Sequence, residues 1–159
     1  MTVITHLQRK SRLSQMVDQP GGLSVGAALA QAKANLDGLK DQALSVIAQN
    51  IDALLAPPST DLPEAVRLDM AYAASSQIID AASPFAMDDL CIAAKGLCDL
   101  LDAAPRQGGF DWRIATVHAQ AMKVLLSLPP EEQAARSAIL SNLHEVLRKK
   151  LPTSDQSAT

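Results

Sequence analysis

Three histidines, two cysteines and a scatter of aspartates are the residues of this chain best suited to chemistry, and their spacing decides what chemistry is open to them. Cys91 and Cys98 stand seven apart within one helical pattern, on the face that also carries Met87, Leu90, Ala94, Leu97 and Leu101. Seven residues of helix separate two side chains by roughly 10 Å along the axis, beyond the reach of a disulfide. Both therefore read as small buried hydrophobes. His6, His118 and His144 share no ligand spacing with either cysteine or with a carboxylate cluster, so no metal site can be assembled and no cofactor is expected. Asp88, Asp89, Asp99 and Asp102 could look like paired carboxylates for acid–base chemistry or a divalent cation. They fall opposite the apolar stripe, which makes them a solvated helix face. Gly21-Gly22 and Gly108-Gly109 follow no strand and precede no Lys-Ser/Thr pair, which argues against a phosphate loop and nucleotide hydrolysis. The serines form no sequence-local pattern that assembles a nucleophile, a base and an orienting acid. The chain is not expected to be an enzyme.

The elements that must position these residues are all helices. From Ser24 to Ala56 the pattern is unbroken and free of proline, with apolar residues at Val25, Leu29, Ala32, Leu36, Leu39, Ala43, Ile47, Ile51 and Leu54, closed by Pro57-Pro58. At about 1.5 Å per residue this predicts one rod of roughly 45 Å, longer than a small bundle covers. Leu29, Leu36, Leu39, Ile47 and Ile51 are accordingly the expected oligomer interface, most simply of a homodimer. A second helix is predicted over 62–82, capped by Asp61 with Glu64, and a third starting at Ser83-Pro84 and reaching Ala104. Asp111 caps a fourth helix from Trp112 to Leu128, and Pro129-Pro130-Glu131-Glu132 opens a fifth that ends near Leu151 in Arg148, Lys149 and Lys150. Alternating β-branched and aromatic runs are missing. The expected fold is an all-α bundle with one long N-terminal helix, its core built from aliphatic residues and alanine because the chain has only four aromatics.

Charge divides the chain into three stretches. Residues 1–23 form an arm whose first twelve residues carry Arg9, Lys10 and Arg12 and no acid, 24–151 form the bundle, and 152–159 read as a disordered tail. The formal net charge of −3 gives no reason to expect a nucleic-acid partner. No run approaches a membrane span and the start lacks a signal-peptide core, so a cytoplasmic location is expected.

The stretch from Ala73 to Asp102 resembles the central helical hairpin of histidine-phosphotransfer (Hpt) domains. Ala82-Ser83-Pro84-Phe85-Ala86-Met87 matches the turn, and Leu90, Ala94, Leu97 and Leu101 match the second helix. The family's phosphoaccepting histidine falls on Ser76, and the Lys-Gly that follows it falls on Ile79 and Asp80. The resemblance thus implies an Hpt-like four-helix core that keeps the packing residues and lacks all three chemical ones. A second register puts Lys95-Gly96 on the motif with Ile92 at the histidine position. The wider chain is similar to the CheE-like family, small helical proteins encoded in chemotaxis gene clusters of alphaproteobacteria. That similarity runs through Arg9-Lys10-Ser11-Arg12-Leu13, Pro20-Gly21-Gly22, Leu97-Cys98-Asp99-Leu100-Leu101-Asp102 and Val117-His118.

These resemblances imply a non-catalytic accessory or adaptor of chemotaxis or two-component signalling that binds a response-regulator receiver domain or a histidine kinase. Its contact residues would be Arg9, Lys10, Arg12, Ser76, Ile79 and Asp80. One alternative is an active phosphotransfer protein using His118, whose place at the border of the Ile114, Ala121 and Leu125 stripe lets the ring reach solvent. Lys123 lies five residues on rather than three, on another face, which makes His118 a weak phosphoacceptor. The other alternative is a structural coiled-coil or helix-swapped oligomer.

Overall fold

The computed structural model describes residues 24–56, 59–106 and 109–151, with Arg106 described by its backbone alone. His6, the basic residues Arg9, Lys10 and Arg12, the turn at Pro20-Gly21-Gly22 and the tail from Pro152 lie outside the described residues. All regular structure among the described residues is helical: α1 (Val25–Gly38), α2 (Lys40–Leu55), α3 (Glu64–Ala82), α4 (Asp88–Ala103), α5 (Trp112–Ser127) and α6 (Gln133–Lys150), with short 3₁₀ turns at Ser83–Phe85 and Ala104–Arg106. The chain divides into two compact units, Met1–Gly38 and Leu39–Thr159.

The single long rod expected from the sequence is two helices, separated at Leu39. Asn35, Asp37 and Gly38 are all weak helix formers, and glycine loses the most backbone entropy on becoming helical. Leu39 itself keeps right-handed dihedrals (φ −94°, ψ −5°), and its carbonyl accepts from Ala43 N at 3.0 Å, so α2 begins afresh there. In the first unit Ser24 caps α1 as its sequence suggests, its Oγ accepting from Ala27 N at 3.2 Å. No residue of α1 is buried.

In the second unit α2 packs on α3, α3 on α4, α4 on α5, and α5 back on α2, closing a ring of four helices. α6 lies outside that ring, mainly against α4 with a smaller seam on α5. Ile47, Ile51 and Leu54 bring α2 into the core, where Ile78, Leu90, Leu97, Met122 and Leu125 meet them. Ala71, Ala74, Ala82, Ala93, Ala94, Ala115 and Ala119 are buried as well. Short side chains let helix backbones approach closely, which is how a core with so few aromatics reaches close packing. Two of the aromatic residues meet near the start of α5: Phe110 and Trp112 stand edge to face at 5.2 Å, and the Arg67 guanidinium lies 4.4 Å above the Trp112 ring.

Two helix starts differ from the sequence reading. Asp61 does not cap α3: Pro63 occupies the cap position, and Asp61 instead pairs with Ser59, whose Oγ donates to its carboxylate at 3.0 Å. Glu64 reaches across to accept from Phe110 N at 3.0 Å, tying the start of α3 to the approach to α5. Ser83-Pro84 likewise ends one helix rather than opening the next. Met87 N donates to Ala82 O and Ala86 N to Ser83 O, the paired bonds of a Schellman stop, and α4 begins only at Asp88.

That stop puts Ala86 in the left-handed region (φ 53°, ψ 39°), where a Cβ crowds the following carbonyl. Ala86→Gly is expected to stabilise the chain by about 0.5–1 kcal/mol, the relief of that strain less the entropy glycine loses. A higher urea midpoint at unchanged slope checks this; a lower midpoint would contradict it.

Candidate functional site

Ser76, Ile79 and Asp80 share one face of α3, as residues three and four apart on a helix must. Ser76 and Ile79 are half-buried, with Ile79 packed on the core, and Asp80 is exposed. The positions where an Hpt domain would carry its imidazole, cation and glycine thus present a hydroxyl, an aliphatic side chain and a carboxylate. Neighbouring Ser75 is fully buried and spends its hydroxyl on the Ala71 carbonyl at 2.9 Å.

The second register of the motif is split. Lys95 is exposed and paired along the helix with Asp99 at 3.1 Å, while Gly96 is buried. Ile92, at its histidine position, is exposed. Burial raises the thiol pKa of Cys98, reinforced by Asp102 and Asp99, and burial also raises that of half-buried Cys91, with Asp88 adding to it. Both thiols are thereby held in the protonated, unreactive form.

His118 is placed differently from the sequence expectation. Its ring does not reach solvent: the residue is fully buried on α5. Nδ1 stands 2.9 Å from the carbonyl oxygen of Ile114. A carbonyl only accepts, so Nδ1 carries the proton and donates, leaving the lone pair on Nε2. Nε2 is buried with no hydrogen-bond partner among the described residues. Burial pushes the imidazole below its ordinary pKa, only partly offset by the bond to Ile114, and the ring is neutral at pH 7. An orphaned buried acceptor costs about 1–3 kcal/mol. His144 is exposed on α6, beside a small hollow that it lines with Ile92, Ala93, Leu140, Leu143 and Leu147.

The candidate interface residues part company at Leu39. Leu29 and Leu39 are exposed and Leu36 is half-buried, whereas Ile47 and Ile51 are enclosed in the bundle's own core.

Three features were not anticipated from the residues alone. Arg136 on α6 pairs through Nε with Asp89 and donates from Nη1 to the carbonyls of Leu125 (3.1 Å) and Leu128 (2.8 Å), so an aspartate of the supposed solvated face anchors a helix. An open groove of about 680 Å³ runs between α3 and the end of α4, lined by Glu64, Leu68, Asp69, Tyr72, Leu101 and Asp102 among others. Gly96, His118 and Leu147, from three helices, meet at one point. A glycine in mid-helix was the only advance signal of the last. Among the described residues no group of three His, Cys, Asp or Glu side chains is arranged to hold a metal ion, and no helix is long and apolar enough to cross a membrane.

Comparison with protein-family models, with curated proteins and with solved structures finds no match to this chain.

Proposed function

We propose that this chain is a non-catalytic binding module of bacterial chemotaxis or two-component signalling, with an Hpt-like four-helix core, that recognises a receiver domain or a histidine kinase. The observation that carries the reading is the α3 face on which half-buried Ser76 and Ile79 stand with exposed Asp80 at the rim. A helical face of this kind serves as a docking surface, and a carboxylate there opposes the developing negative charge of a phosphoryl transfer. The enclosure of His118 favours the same conclusion, since the remaining candidate nucleophile is covered. In this reading Arg9, Lys10 and Arg12 form the electrostatic half of the contact, drawn to the acidic surface of the partner.

Stopped-flow binding of a panel of receiver domains to the full chain tests it. Neutralising Arg9, Lys10 and Arg12 together is expected to slow association about tenfold at low salt, and the difference is expected to fade toward physiological ionic strength. Binding of every receiver and kinase that is absent, or indifferent to the three substitutions at low salt, would contradict the proposed contact.

A second reading, self-association, is favoured by one observation: α1 has no buried residue, and Val25, Leu29 and Leu39 are exposed. A helix of this length has little stability by itself in water, so α1 gains from a partner that covers its leucines.

A further inference from the structure

α3 and α4 form a hairpin through the turn at Ser83–Phe85, so the start of α3 lies beside the end of α4. The groove of about 680 Å³ opens between those two ends. Its floor is apolar, with half-buried Leu68 and buried Leu101. Tyr72, one turn on from Leu68, is exposed in the same groove.

Charge in the groove has one sign. Glu64, Asp69 and Asp102 are among the described residues that line it, and no lysine or arginine is. Glu64 stands in the first turn of α3, where the positive end of the helix dipole favours it, and one of its oxygens is taken by Phe110 N. Asp69 and Asp102 are exposed and enter no ion pair among the described residues. Elsewhere in the same unit Asp52, Asp89, Asp99, Asp111 and Glu145 are each paired with a lysine or an arginine. α4 has no basic residue in its last turn, so the negative end of its dipole adds to the field of Asp102.

We propose that this groove is the docking site for a basic segment of a partner protein, which sets an arginine or lysine between Asp69 and Asp102 and lays the stem of that side chain on Leu68, Tyr72 and Leu101. The carboxylates fix the sign of the occupant and the floor fixes its form. Lysine and arginine carry a long aliphatic stem behind the charge, so a single side chain meets both. A guanidinium gains further from the face of a tyrosine ring. Small-molecule sites engulf most of their ligand's surface, whereas this groove lies open along two helices, which suits a side chain delivered on a peptide segment. The inference does not rest on the role proposed above, whose charged contact has the opposite sign and whose α3 residues, Ser76, Ile79 and Asp80, lie farther along the helix.

Fluorescence anisotropy on the full chain tests it, with a labelled peptide that carries leucine and arginine along one helical face and a control peptide with glutamine in place of each arginine. The arginine peptide is expected to bind at least about tenfold more tightly than the control at low salt. Asp69→Lys and Asp102→Lys are each expected to weaken it about fivefold, and Glu131→Lys, the same change of charge at an exposed position outside the groove, to leave it unchanged. All three positions are exposed, so circular dichroism is expected to show the fold intact in each variant. Tyr72→Ala is expected to weaken the arginine peptide at every salt concentration, because packing on the ring is not screened. Failure of the arginine peptide to bind, equal binding of the two peptides, or an equal loss in Glu131→Lys overturns the docking site. Free arginine amide that displaces the peptide at equal concentration would make this a small-molecule site and overturns the assignment to a segment. Peptide binding that emerges only once Arg9, Lys10 and Arg12 are neutralised would make this chain's own basic stretch the occupant and overturns the assignment to a partner.

Discussion

Ile47→Glu is expected to unfold the chain, and Leu29→Glu to leave it as stable as wild type, although the two residues lie on what reads as one continuous stripe. Ile47 is fully enclosed within the four-helix ring, whereas Leu29 is exposed on a helix that buries nothing. An unpaired carboxylate in that core costs more than about 4 kcal/mol, a large share of the roughly 5–15 kcal/mol that holds a domain together. Circular dichroism with urea titration separates the two variants directly. Light scattering on Leu29→Glu then reports on α1: a drop in mass relative to wild type supports self-association through that helix, and an unchanged mass removes it. If Ile47→Glu folded with near-native stability, the division of the stripe at Leu39 would be wrong.

That division shows what the sequence could and could not reveal. Steps of three and four continue through Leu36, Leu39 and Ala43 without a proline, so periodicity alone reads one helix, and only the weak helix formers Asn35, Asp37 and Gly38 hint at the interruption. The all-helical class and the cap at Asp111, whose carboxylate accepts from Arg113 N, were legible because they depend on local pattern. The Ser83-Pro84 signal was read backwards, since the same dipeptide can open a helix or sit within a Schellman stop, and the deciding bonds come from Ala86 and Met87. The site was harder still. His118 sits at the border of its stripe by helical position, and the burial it finds there involves residues distant in sequence, with Gly96 of α4 and Leu147 of α6 meeting beside it. Asp89 is similar: its face is polar along α4, but Arg136 comes to it from α6, and no spacing within α4 announces that.

The same enclosure bears on phosphate chemistry. A phosphoryl group must reach a nucleophile in line and have its charge met by a cation or by backbone donors. Ser76 offers a hydroxyl, whose phosphate ester lacks the transfer potential of a phosphoramidate, and Asp80 one turn on adds repulsion. His118 has the right tautomer, with the lone pair on Nε2, but the residue is fully buried and no cation or donor meets that nitrogen among the described residues. The expected phosphotransfer through either position is nil.

The measurement that bears most directly on a non-catalytic role is incubation of the intact chain with a radiolabelled phospho-kinase and, separately, with a labelled phospho-receiver, followed by separation and treatment with acid and base. The account predicts that acid-labile, base-stable label on this chain stays at background while both donors remain able to phosphorylate an authentic transfer protein. Label that accumulates on the chain and disappears in His118→Ala would contradict it and make the protein a phosphotransferase.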